Sequence, residues 1–248
     1  MMVLFGFILF FVTKQILFAA FPHTLSSLLF CASLIVIIVL TVKTISLKKR
    51  SNFLRKEMHH RVKNNIQLVS SLINLQLRHS IDHKVLSELK DSKSRFAALG
   101  ILNKIIFQTE VSHKKININT LANSIVEKSI NQNNLEKEGL NKLFTINAKV
   151  FEIDIEKAIP LGLIINELLL FNIKNKLYSP GKQIAINLDY CFDSNRCKFK
   201  FVNNHAPSNW NINFDNTLSK RIIVRLANQL QSEMKIDYDE KMEFSFSF

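Results

Sequence analysis

The 248-residue chain is predicted to fold as two N-terminal transmembrane helices, an α-helical hairpin that pairs into a dimeric four-helix bundle, and an α/β sandwich. Three observations lead there. The N-terminal fifth is far more apolar than the remainder. Two successive stretches between Asn52 and Ile106 repeat apolar residues at alternating spacings of four and three. Beyond Ile116, segments of helical period interleave with segments that alternate every second residue. The expected boundaries are 1–47 for the membrane hairpin, 48–112 for the helical hairpin and 113–248 for the α/β domain.

Met1 to Phe21 is nearly all apolar, broken by Thr13, Lys14 and Gln15, and a second apolar run extends from Leu25 to Val42. A helix needs roughly 20 apolar residues to cross a bilayer. No cationic segment precedes the first run, which argues against a secretory signal. Pro22-His23-Thr24 is expected as a short outer loop. Lys43, Lys48, Lys49, Arg50, Arg55 and Lys56 follow the second run directly and read as a positive-inside flank. That places both termini in the cytoplasm and the protein in the inner (cytoplasmic) membrane as a multi-pass chain. The flank also explains part of the net charge of +13 without nucleic acid as a partner. Cys31, Cys191 and Cys197 show no CxxC spacing and no histidine cluster, so no metal site or disulfide framework is expected.

From Asn52 to Ser80 the chain has no proline or glycine, and Val62, Ile66, Val69 and Ile73 form one stripe that Leu68, Leu72 and Leu75 widen. A second stripe holds Val85, Leu89, Ser92, Phe96, Leu99, Asn103 and Ile106. With a polar turn at Ser80 to His83 between them, the two helices form an antiparallel hairpin whose remaining apolar face a second copy would bury. Glu57-Met58-His59-His60-Arg61-Val62-Lys63-Asn64-Asn65 opens the first stripe. At about 100° per residue, His59 falls in phase with Val62 and Ile66, whereas His60 points to solvent. An exposed imidazole can meet a phosphoryl donor, so His60 is the candidate nucleophile.

Farther on, Asn119 to Ile130 reads as a helix capped by Asn119 or Thr120, and Leu143 to Ile153 alternates like a strand. Lys157 to Asn175 is expected to be helical, with Pro160 in the first turn. Ile184, Ile186, Leu188 and Tyr190 alternate, as do Cys197, Phe199 and Phe201, about a turn at Asp193 to Arg196. A helix from Thr217 to Leu230 and a closing hairpin, Met234 to Tyr238 with Met242 to Phe248, complete a layer of helices on a mixed sheet.

Residues 57–65 resemble the phosphoacceptor box of sensor histidine kinases with an HHRVKNN-type motif, a group close to the HWE kinases. Arg95 to Glu110, RFAALGILNKIIFQTE, is similar to that family's second dimerisation helix, and Ala158 to Leu168, AIPLGLIINEL, to the first helix of its ATP-binding motifs. The resemblance spans about residues 53–248. It implies an α/β sandwich of histidine-kinase ATPase type, a homodimer at the membrane, and ATP with Mg²⁺ as cofactors where the protein is active. It implies protein-histidine phosphotransferase chemistry on His60 and a response-regulator receiver as partner. Glu57 stands one turn before His60 as a hydrogen-bond partner or base. Arg61, Lys63 and Asn64 are candidates to steady phosphate oxygens. Glu167 is the retained motif carboxylate, and Asn166, Asn172, Asn203 and Asn204 are what remains to contact nucleotide.

The chain departs from the family pattern in three places. The usual Mg²⁺-ligating asparagine is Phe171, with Asn172 turned away by about 100°. The D-N-G-x-G element reads Asn203-Asn204-His205-Ala206-Pro207. The S-L-G-L-R-L element reads Thr217-Leu218-Ser219-Lys220-Arg221-Ile222, and the later Gly-Gly is Gln231-Ser232. Glycines in such loops permit positive φ and close backbone approach to phosphates. Their joint replacement predicts a degenerate ATP site, hence a phosphotransfer protein or pseudokinase. The alternative is an active kinase with divergent loops.

Overall fold

The computed structural model describes Val12 and residues 23–108, 115–133, 135, 140, 142–148, 151–178, 182–191, 196–206, 214–237 and 241–248. Most of the first apolar run, Pro22, and the Asp193–Asn195 part of the predicted turn lie outside them. The chain divides into two compact units, Met1–His60 and Arg61–Phe248.

Helix α1 runs His23–His79 and α2 runs His83–Gln108. His23 and Thr24 are therefore helical rather than loop. No proline or glycine occurs within α1, so nothing ends it before Ser80. Its N-terminal part is long and apolar enough to cross a membrane, and Ile35, Val36, Ile38, Val39, Leu40 and Val42 are exposed. The turn at Ser80 to Asp82 falls where expected, with Asp82 accepting from the N–H of Lys84. Within the second unit Gly100 of α2 comes up against Ile66 of α1, so the hairpin is antiparallel. Ile73 is buried there, while Leu68, Leu72 and Leu75 remain exposed.

On α2 the buried residues are Ser94, Ala98, Leu102 and Ile105, not the stripe from Val85 to Ile106 that the sequence singles out. The reason is a second partner: α2 also packs on the α/β domain. The sequence stripe is left half-covered.

Strand β1, Lys115–Asn117, pairs antiparallel with β3, Glu152–Asp154. Helix α3, Ile118–Gln132, starts earlier than expected because the capping side chain is Asn117, whose Oδ1 accepts from Asn119 and Thr120 N–H. The single strand predicted for Leu143 to Ile153 splits: β2, Phe144–Ala148, joins the main sheet, whereas β3 joins β1. Helix α4 runs Ile155–Lys174, two residues earlier than predicted, so Pro160 sits in its second turn. The main sheet has the order β2-β4-β5-β7-β6, with β4 Ile184–Cys191, β5 Arg196–Asn203, β6 Lys235–Asp237 and β7 Met242–Ser247. Among the described residues of this sheet only the β2–β4 pair is parallel. Register places Phe199 opposite Phe246 and Phe201 opposite Phe244. Their rings, with centroids 4.9 and 6.2 Å apart, line the face the helices cover.

Helix α5, Leu218–Gln229, is capped by the Thr217 hydroxyl, which accepts from Lys220 N–H. Both α4 and α5 end in Schellman motifs. Leu177 N–H bonds Asn172 O and Lys176 N–H bonds Ile173 O; Ser232 N–H bonds Ala227 O and Gln231 N–H bonds Asn228 O. The left-handed position holds Lys176 at φ 51° and Gln231 at φ 54°, where glycine is usual. Gln231→Gly is therefore expected to stabilise the protein by about 0.5–1 kcal/mol, read as a higher denaturant midpoint at unchanged slope.

Candidate functional site

Helix α4 is buried on nearly every face, from Ala158 through Asn172 apart from a few half-covered positions. Its apolar residues need no partner, but its polar ones do. Glu167, 2% exposed, receives two bonds from Arg95 of α2, Nε to Oε1 at 2.7 Å and Nη2 to Oε2 at 2.9 Å. The Ser219 hydroxyl donates a third, to Oε2 at 2.9 Å. Burial alone would lower the Arg95 pKa, yet the hydrogen bonds and charge of Glu167, with Asp91 nearby, hold it above its ordinary value. A second pair, Lys174 Nζ to Asp91 Oδ2 at 2.7 Å, joins the same two helices nearer the surface.

Asn172 and Asn203 are both completely buried. Asn172 Nδ2 donates to Leu168 O at 2.8 Å, and its Oδ1 accepts from Asn203 Nδ2 at 3.0 Å. Asn203 Nδ2 also donates to Leu177 O at 2.5 Å, and its Oδ1 accepts from His205 N–H at 2.9 Å. Both amides thus look inward. Phe171 is buried edge-to-face on Phe214 at 4.8 Å, and Phe214, fully buried, meets Phe244 at 5.0 Å. Asn166 is buried with its Nδ2 lacking a hydrogen-bond partner, and Asn204 lies exposed in the turn after β5.

In the N-terminal unit, His60 is exposed on α1 and His59 is half-buried, their ring centroids 5.9 Å apart. Helix phase had separated the two in this sense. Glu57 is half-buried one turn earlier on the same helix, whereas Arg61, Lys63 and Asn64, in the other unit, are exposed. Arg95 and Ser219 lie within the motifs read from the sequence but had no role there. Phe214 had no local signal at all. Their pairings bridge 72, 52 and 43 positions (Phe171 to Phe214), a separation no spacing rule reaches.

A histidine kinase family model matches residues 57–133. No curated protein matches the chain. Among solved structures, the chain is similar to the histidine kinase domain of a blue-light activated histidine kinase from Erythrobacter litoralis EL346. That likeness has a TM-score of 0.55 at 13% identity and covers 77% of this chain and 94% of the other. The longer structure of the Erythrobacter litoralis EL346 kinase gives a TM-score of 0.52 at 15% identity and covers 76% of this chain and 59% of that one. At such identities the structural likeness shows the fold: a helical N-terminal region followed by a histidine kinase-like α/β domain.

Because Glu167 has almost no access to water, removing its partner leaves a buried charge. Arg95→Ala is expected to cost about 3–5 kcal/mol. Lys200→Ala, which opens the exposed pair with Glu243, should cost below about 1 kcal/mol. Denaturant titration of the two variants against wild type measures the difference. The segment that carries the HHRVKNN box, within residues 57–133, is the part of the chain that matches the histidine kinase family model.

Proposed function

We propose that this chain is a membrane-anchored phosphotransfer protein or pseudokinase of two-component signalling, phosphorylated on His60 and exchanging that phosphate with a receiver aspartate. Its α/β domain does not bind ATP in the family's manner. The observation that carries this reading is the Asn172–Asn203 pair beside Phe171. The amide in the adenine-reading position spends both N–H bonds and one acceptor on its own protein. The position of the Mg²⁺ ligand is a buried phenyl ring. The one acceptor lone pair left on Asn203 Oδ1 is sealed from a nucleotide by the complete burial of the side chain. The residues present therefore do not fit ATP with Mg²⁺.

Exposure of His60 supports its role as acceptor. In the transfer, a neutral ring nitrogen attacks the phosphorus of the aspartyl phosphate. A P–N bond forms, the P–O bond to aspartate breaks, the carboxylate leaves and the ring proton passes to solvent or Glu57. Arg61, Lys63 and Asn64 would steady the phosphoryl oxygens. The exposed apolar run before Val42 and the cationic flank support the membrane anchor, with the downstream part in the cytoplasm. Exposed Leu68, Leu72 and Leu75 support pairing with a second copy. An active kinase is the second reading, favoured by the retained Glu167. That carboxylate, however, already accepts from Arg95 and Ser219.

The test offers the full chain either labelled ATP with Mg²⁺ or a phosphorylated receiver domain. Label is expected only from the receiver, on wild type and His59→Ala but not on His60→Ala. Label from ATP that His60→Ala abolishes would establish the active kinase instead. If neither donor labels the protein, the transfer role fails and a scaffold remains.

A further inference from the structure

We propose that Lys43, Lys48, Lys49 and Arg50 of α1 form a cationic collar that binds the headgroups of anionic phospholipids at the cytoplasmic surface of the membrane. The collar presupposes the membrane anchor proposed above. At about 1.5 Å per residue, α1 from His23 to Val42 is about 30 Å long, the thickness of a bilayer's hydrocarbon. The headgroup layer adds about 5–7 Å on the cytoplasmic side. Lys43 stands within that layer, and Lys48, Lys49 and Arg50 stand about 9 to 12 Å beyond Val42. Side chains on a helix lean toward its N-terminus, here toward the bilayer, and long cationic ones extend that way to reach the phosphates. All four charges then fall within the roughly 8 Å over which a charged surface acts at physiological ionic strength.

Lys48, Lys49 and Arg50 are consecutive, so at about 100° per residue they point to three sides of α1. Leu40, Leu47 and Leu54, all exposed, share the fourth. Whichever side a neighbouring helix covers, at least two of the three cations stay against the headgroups. All four collar residues are exposed, and none of their side chains has an ion-pair partner among the described residues. The sequence offers none nearby. Met1 to Lys56 holds no aspartate or glutamate, and Glu57 is the first. Such a cluster takes its counter-charge from outside the chain. Lysine and arginine make charge-assisted hydrogen bonds to phosphate oxygens, and the phosphate of phosphatidylglycerol, unlike that of phosphatidylcholine, carries no cation of its own. Position at the end of the apolar run favours lipid over nucleic acid as the polyanion. His60, up to about 27 Å beyond Val42, lies outside the reach of the surface charge. The collar therefore holds α1 at the bilayer while leaving that imidazole open to a partner.

The test reconstitutes the full chain in phosphatidylcholine vesicles and follows spin-labelled lipids by electron paramagnetic resonance, which separates lipid held against protein from bulk lipid. Spin-labelled phosphatidylglycerol is expected at the protein in about fivefold preference to spin-labelled phosphatidylcholine. Lys49→Gln should lower that preference about twofold, and the combination of Lys48→Gln, Lys49→Gln and Arg50→Gln should abolish it. Charge-preserving Lys48→Arg, Lys49→Arg and Arg50→Lys together should keep it, as should Lys198→Gln with Lys235→Gln in the α/β domain. No preference in wild type, or an equal one in the neutralised variant, overturns the proposal. So does a preference abolished by inorganic phosphate but not by sodium chloride of equal ionic strength, which would mark a site for free phosphate. A labelled oligonucleotide bound by wild type and lost by the neutralised variant, with no lipid preference, would assign the collar to nucleic acid instead. Carbonate extraction of the same vesicles reads the anchor separately. A chain that washes off refutes the anchor and the collar with it, whereas one that stays without lipid preference refutes the collar alone.

Discussion

Helix α4 sets the terms for the rest of the α/β domain. A helix that is apolar on every side is stable in water only when every side is covered, and α4 has α2, α3 and α5 packed on it, with the sheet's phenylalanines in the same core. The second helix of the hairpin is thereby recruited as a wall of that core. Its buried residues follow the line that meets α4, from Ser94 to Ile105, rather than the line its own heptads suggest. The hairpin and the α/β domain therefore share one hydrophobic cluster.

Complete burial also governs the polar residues α4 carries. Glu167, buried there, needs hydrogen-bond donors, and Arg95 and Ser219 supply them from two other elements. Asn172 and Asn203 satisfy one another across 31 positions of chain. In each case a side chain that could have faced a ligand is committed to the fold. The aromatic stack of Phe171, Phe214 and Phe244 continues the same logic, packing hydrocarbon beside these buried polar groups. Loops that would otherwise rely on glycine accept side chains instead, as the left-handed Gln231 illustrates.

Much of this was legible beforehand. The hairpin turn, the helix from Thr217, the β4–β5 pair and the closing hairpin follow from local periodicity and turn chemistry, and they appear within a residue or two of expectation. His60 could be separated from His59 because helix phase is a local property. The misses have physical causes. Leu143 to Ile153 alternates throughout, but alternation does not say which sheet a strand joins, and the stretch was divided between two. The cap of α3 moved to Asn117 because neighbouring asparagines compete for one role.

The sequence alone determined the HHRVKNN box, most of the helices and strands, and the absence of glycine from the loop motifs, since each depends on residue type and spacing within a few turns. What only the tertiary structure decided is where the remaining polar groups point. Asn172, Asn203 and Glu167 read as candidates for contact with nucleotide or phosphate until their partners were seen. Their side-chain partners stand 31 to 72 positions away and were selected by burial around α4, which no local pattern encodes.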